Sequence, residues 1–135
     1  MGNGGCFVCG QKNRVGLKLV FKTDSEKNSA ECITAIPDSY CGWEGLVHGG
    51  VISAIVDDAM AHACKSIGLN CVTAELNLKY KKPVPVNTEI RVAARVTDQR
   101  VFMSYHVVYT EAVVEIAGKV VNRATAKMFV VKDLH

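Results

Sequence analysis

One segment limits the folds open to this chain more than any other. Across 49–67 the residues Val51, Ile52, Ala54, Ile55, Val56, Ala59, Met60, Ala61 and Ala63 leave almost no polar side. A helix that is apolar nearly all round must be buried on most of its faces, and Gly68 is a suitable stop. Around it the sequence alternates apolar and polar residues as half-buried strands do. Such stretches lie at 16–22 and 29–36 before the helix, and at 72–80, 89–97, 101–111 and 119–131 after it. In 72–80 the apolar side is Ala74, Leu76, Leu78 and Tyr80; in 89–97 it is Ile90, Val92, Ala94 and Val96. The stretch 24–28 is a polar turn, 37–46 is a loop holding Pro37, Gly42 and Gly45, Pro83-Val84-Pro85 interrupts, and a turn falls near Gly118. Two strands, a helix and more strands predict an α+β fold, with an antiparallel sheet wrapped around one long central helix, as a single domain over 1–135.

One helix cannot cover the whole face of such a sheet. The long strands at 89–97 and 119–131 also lack the Pro or bulge signals that blunt an exposed edge. Edge-to-edge pairing of two copies answers both problems, so a homodimer is expected, extending to a homotetramer.

Composition removes several classes of function. Sixteen Lys and Arg against 13 Asp and Glu give a net charge of +3, too small to mark a nucleic-acid protein. No apolar run reaches the roughly 18 residues of a membrane span. The opening Met1-Gly2-Asn3-Gly4-Gly5-Cys6 lacks the basic and apolar parts of a secretion leader. A cytoplasmic protein with reduced thiols is the expectation. Cys6-Phe7-Val8-Cys9 is the one metal-like spacing, but no second pair of Cys or His follows it. It reads as a turn, with no metal and no cofactor expected.

Chemistry concentrates in His48-Gly49-Gly50 and in Asp57-Asp58. An ionised carboxylate in an otherwise apolar helix is costly unless paired, so such an acid is at a surface or has a purpose. By composition alone Asp57 is equally a core acid paired with an arginine, and His48, a histidine beside glycines, is more often a packing or turn residue than a base. The small residues at 50, 53, 54, 57, 61 and 64 form a stripe that lets a backbone or a substrate approach Asp57. The helix starts on glycines with no Ser, Thr, Asp or Asn as cap. Its first N–H groups are therefore expected to be free to hold a carbonyl oxygen or oxyanion. Asp57 lies about 12 Å further along the axis, and an elongated substrate lying along the helix is expected to reach both.

Three blocks carry a family resemblance. The segment 46–63 (LVHGGVISAIVDDAMAHA), the segment 73–83 (TAELNLKYKKP), and the opening Cys6-Phe7-Val8-Cys9-Gly10 with Gly16-Leu17-Lys18-Leu19 resemble the hot-dog thioesterases, in particular the PaaI-like acyl-CoA thioesterase branch. The resemblance implies a hot-dog fold and Asp57 as nucleophile or general base. It implies Gly49 N–H, with Gly50 beside it, facing the thioester oxygen, and Thr73, from the neighbouring subunit, holding the carboxylate or water. Asp58 receives no role. Many relatives carry Asn or Gln six residues before the motif histidine, whereas Gly42 stands there in this chain.

The expected activity is hydrolysis of an acyl-CoA to free acid and CoA. His48, Trp43, Lys81, Lys82 and Arg123 are the candidate substrate-binding residues, the basic ones for the CoA phosphates. Trp43, Leu46 and Met60 are expected to line the acyl pocket. The rival readings are a non-catalytic acyl-CoA-binding protein and a hydratase using His48, His62 or His106.

Overall fold

A computed structural model describes residues 4–132. The opening Met1-Gly2-Asn3, read above for a leader, lies outside them. The chain runs β1 (Lys22–Asp24), β2 (Ser29–Ala35), α1 (Gly49–Lys65), β3 (Cys71–Tyr80), β4 (Glu89–Phe102), β5 (Tyr105–Ile116) and β6 (Lys119–Val130). The order of elements is the expected one. The strands form one six-stranded sheet in the order β1-β2-β4-β5-β6-β3, and every neighbouring pair is antiparallel. No helix among the described residues is long and apolar enough to cross a membrane.

The helix packs on one sheet face because its apolar residues and the inward positions of the strands have nowhere else to go. Ile52, Ile55, Val56, Ala59, Met60, Ala63 and Cys64 are buried among Ile90, Val92, Val108, Val114 and Met128. Met60 is wholly buried and fills this core, so it does not line a pocket as the sequence suggested. Met60→Ala is expected to cost about 2–5 kcal/mol by leaving a cavity. Denaturant unfolding measures this directly, and a loss below about 1 kcal/mol would show a site that collapses freely.

Four strand details depart from the sequence reading, each for a local reason. The alternation at 16–22 is real, with Leu19 buried and Leu17 and Phe21 packed on the core. The ladder, however, begins only at Lys22. The Leu17 and Leu19 N–H groups are bonded instead to the Phe7 and Val8 carbonyls, at 2.8 and 2.9 Å. Further on, the sequence reading puts Asp98-Gln99-Arg100 between two strands, yet these residues pair with Tyr109, Val108 and Val107 after a bulge between Val96 and Asp98. The reversal comes later, where Met103 takes a left-handed φ of 56°.

The third departure concerns edges. β4 and β6, which contain the strands expected to lie open, are interior. The edges are β1, of three residues, and β3, of ten. Sequence order gave no sign that β3 would sit outside β6. The fourth is a bulge in β3 between Thr73 and Glu75. It leaves Ala74 as the extra residue and re-phases the strand, so Thr73, opposite the wholly buried Met128, faces the helix in place of Ala74.

Candidate active site

Thr73 and Asp57 meet. The Thr73 hydroxyl donates to Asp57 Oδ1 at 2.5 Å, within one chain. The sequence reading had assigned this threonine to a neighbouring subunit. The β3 bulge brings it instead to the same chain's helix. Asp57 is half-buried and has no arginine partner among the described residues. Arg91 pairs with Glu31 and Glu115, Arg95 with Glu111, and Arg100 with Asp98. The stripe of small residues is partly open at Gly50, Ser53, Ala54 and Asp57 and closes at Ala61 and Cys64.

The start of the helix is capped, contrary to expectation. His48 Nδ1 accepts the Gly50 N–H at 2.8 Å, and the His48 carbonyl accepts those of Val51 and Ile52 at 2.9 and 3.1 Å. A histidine two residues before an amide can do what Ser or Asp does at most helix starts, a possibility that a list of common caps misses. Gly50 is therefore not a free donor. Among the described residues the Gly49 N–H is left without an acceptor in this first turn. The first turn holds no acidic side chain, so the positive end of the helix dipole is not neutralised locally.

Gly49 opens onto a cleft of about 750 Å3 lined by Gly42, Trp43, Leu46, Val47, His48, Tyr80, Lys81, Lys82 and Pro83. This brings together His48, Trp43, Lys81 and Lys82. Arg123 is not brought to it. Its neighbours Asn122 and Ala124 are buried, while Arg123 is exposed opposite Lys79 and Val113, on the sheet face away from the helix. Gly42, where relatives carry an amide side chain, lies against His48. A Cβ there would stand 3.3 Å from the His48 Cα and ring, so the glycine gives the capping histidine its room. Tyr80 was missed as a site residue. Its hydroxyl donates to the Gly49 carbonyl at 2.7 Å and ties the helix start to β3. Its signal was only the last apolar place of an alternating strand.

The buried acid of the pair is Asp58, at 7% exposure, not Asp57. Burial alone would raise its carboxyl. Bonding to His62, and then to the Cys9 and Cys6 thiols, outweighs burial and holds the carboxyl below the usual range. Burial, reinforced by Asp58, pushes the Cys9 thiol up.

Over residues 44–108 the chain matches the model of the thioesterase superfamily, a span that includes His48, Gly49, Asp57 and Thr73. It is 28% identical over 105 residues to acyl-coenzyme A thioesterase THEM4 of Bos taurus, covering 75% of this chain and 43% of that protein. The chain thus spans less than half the length of that relative. Among solved structures it is similar to a thioesterase superfamily protein, with a TM-score of 0.82, 23% identity, and 94% of this chain and 60% of that one covered. It is also similar to a putative thioesterase, a phenylacetic acid degradation-related protein of Ralstonia eutropha JMP134, with a TM-score of 0.71, 28% identity and coverages of 84% and 86%. With its single helix laid on a six-stranded antiparallel sheet, the chain has the hot-dog fold of these structures, and its residues 44–108 match the thioesterase superfamily.

Proposed function

We propose that the chain hydrolyses an acyl-CoA thioester, with Asp57 as nucleophile or general base and the Gly49 N–H as donor to the thioester oxygen. The observation that carries this reading is the pairing of two features on one helix. One is an unneutralised N-terminal N–H facing a cleft; the other is a half-buried carboxylate oriented by Thr73. The names of relatives such as acyl-coenzyme A thioesterase THEM4 support the substrate class.

Reaching both features along one helix is not enough for catalysis. Reacting atoms must approach to about 3–3.5 Å, while eight residues of helix separate Gly49 from Asp57 by about 12 Å. A second copy placed antiparallel through the open β3 edge brings one chain's Gly49 towards the other's Asp57. The site is then shared in a homodimer. Thr73 occupies Asp57 Oδ1, which directs Oδ2 to the carbonyl carbon or to a water attacking it. Charge growing on the thioester oxygen is stabilised by the Gly49 N–H and the helix end. The CoA thiolate leaves readily, so no strong acid is required beside it. Lys81 and Lys82 are exposed on the rim, where the CoA phosphates would lie, and Trp43 and Leu46 flank the acyl group.

A hydratase reading finds less support. His48 Nδ1 is engaged by Gly50, His106 is bonded to Gln99 on the β4–β5 hairpin, and His62 faces Asp58 and Cys9. The test is steady-state release of CoA from short, long and aromatic acyl-CoAs, with enoyl-CoA hydration measured alongside. Release from one class supports hydrolysis. Tight acyl-CoA binding with no release would turn the reading to a non-catalytic binding protein, and hydration would turn it to a hydratase.

A further inference from the structure

The Cys6–Cys9 segment forms the expected turn, but it does not stand alone. The Gly10 N–H donates to the Cys6 carbonyl at 2.8 Å, and the Cys9 N–H donates to Cys6 Sγ at 3.5 Å. Only glycine closes this turn, because a Cβ on Gly10 would come within 2.3 Å of the Gly4 carbonyl and 2.4 Å of the Cys6 nitrogen. The turn is seated on α1, where Asp58 and His62, one turn apart, present their side chains together.

The donor atoms of Cys6, Cys9 and Asp58 lie within 4.8 Å of one another. Cys6 Sγ is 3.6 Å from Asp58 Oδ1. His62 Nε2 is 3.3 Å from Cys9 Sγ and 3.5 Å from Asp58 Oδ2. Around a tetrahedral zinc, bonds of about 2.3 Å to sulfur and about 2.0–2.2 Å to nitrogen or oxygen put neighbouring ligand atoms about 3.3–3.8 Å apart. These three distances lie close to that spacing. His62 meets Cys9 and Asp58 but stands outside the mutual 4.8 Å group of Cys6, Cys9 and Asp58, so a small side-chain movement would bring it fully onto the ion. Asp58 is buried at 7% exposure, and among the described residues its Oδ2 has only the His62 Nε2 at 3.5 Å beside it, with no hydrogen bond of ordinary geometry. A buried carboxylate that meets the Cys6 thiol through Oδ1 and the His62 imidazole through Oδ2 is a place where a cation would offset the cost of burial. Phe21 stacks on the His62 ring at 4.7 Å and fixes its plane.

We propose that Cys6, Cys9, Asp58 and His62 form a closed tetrahedral zinc site that fastens the N-terminal turn to the central helix. Two thiolates with an imidazole and a carboxylate suit zinc among the common divalent ions. Four protein ligands leave no open position, so the ion is structural. A Cys–His–Asp nucleophilic relay does not account for the geometry. Both Cys9 and Asp58 converge on the same nitrogen, Nε2, whereas a relay uses the two ring nitrogens separately. This proposal is independent of the thioesterase reading.

The test is zinc content of the reduced chain, purified without a metal resin, by elemental analysis and native mass spectrometry. One zinc per chain is expected. After stripping with a chelator, added Co2+ should give thiolate-to-cobalt charge-transfer bands and tetrahedral d–d bands. Cys9→Ser and His62→Gln should lose the stoichiometric ion, while Cys41→Ser, away from the cluster, should keep it. A wild-type chain that takes up neither Zn2+ nor Co2+, or that is isolated with a Cys6–Cys9 disulfide and no ion, overturns the proposal even if a variant fails to fold. So does undiminished zinc in Cys9→Ser.

Discussion

Asp57→Ala is expected to lower kcat for acyl-CoA hydrolysis by about 10²–10⁴-fold, the range for a positioned base. Asp57 is half-buried, and among the described residues its side chain is hydrogen-bonded by the Thr73 hydroxyl. The variant therefore leaves no unpaired charge in the core, and its melting curve should stay close to that of the parent. Thr73→Ala keeps the carboxylate and removes its orientation, so it should lower kcat less and change KM little. Unchanged turnover in Asp57→Ala would remove that residue from the mechanism. Single-turnover hydrolysis in 18O-labelled water then separates the two routes left open. Label entering the Asp57 carboxylate indicates direct attack, with water opening the mixed anhydride at the aspartyl carbonyl. Label only in the product acid fits water activation or opening of the anhydride at the acyl carbon, which trapping of an acyl-Asp57 anhydride with hydroxylamine separates.

Gly49→Pro should be nearly as damaging by a different route. Proline at the first position of a helix fits its geometry and deletes only an N–H the helix does not use. His48 already has φ −58° and ψ 133°, the extended conformation preferred before proline. A Cβ at Gly49 would stand 3.6 Å from the Tyr80 ring, an ordinary contact. Loss of one oxyanion donor typically costs about 10²–10³-fold in kcat. The informative experiment mixes this variant with Asp57→Ala by unfolding and refolding them together. If each site takes Gly49 from one copy and Asp57 from the other, a mixed pair has one doubly defective site and one intact site. Activity should then rise well above that of either variant alone. A mixture no more active than the sum of its parts would mean that both groups serve within one chain.

Much of this architecture was legible because burial imposes period on sequence. The apolar run from Val51 to Ala63 allowed only a covered helix, and the strands after it alternated as required. What stayed hidden depended on where distant segments meet. The Thr73 bulge changes which residue faces inward without changing composition. The placement of β3 outside β6 is a matter of topology, which local pattern does not encode. The capping by His48 needed a side-chain geometry that residue type alone does not announce. The four-residue cluster around Asp58 escaped for the same reason. Its two halves lie about fifty residues apart, and each half looks incomplete when read along the chain.

The unequal borders of the sheet limit what pairing can build. A ten-residue border offers a full ladder to a twin, but the opposite border is three residues long and follows a segment whose amides are already bonded to the Phe7 and Val8 carbonyls. Two copies joined along the long border would expose only short ones, too brief to recruit a third. Growth by strand addition would stop at a closed pair rather than run on into a fibre.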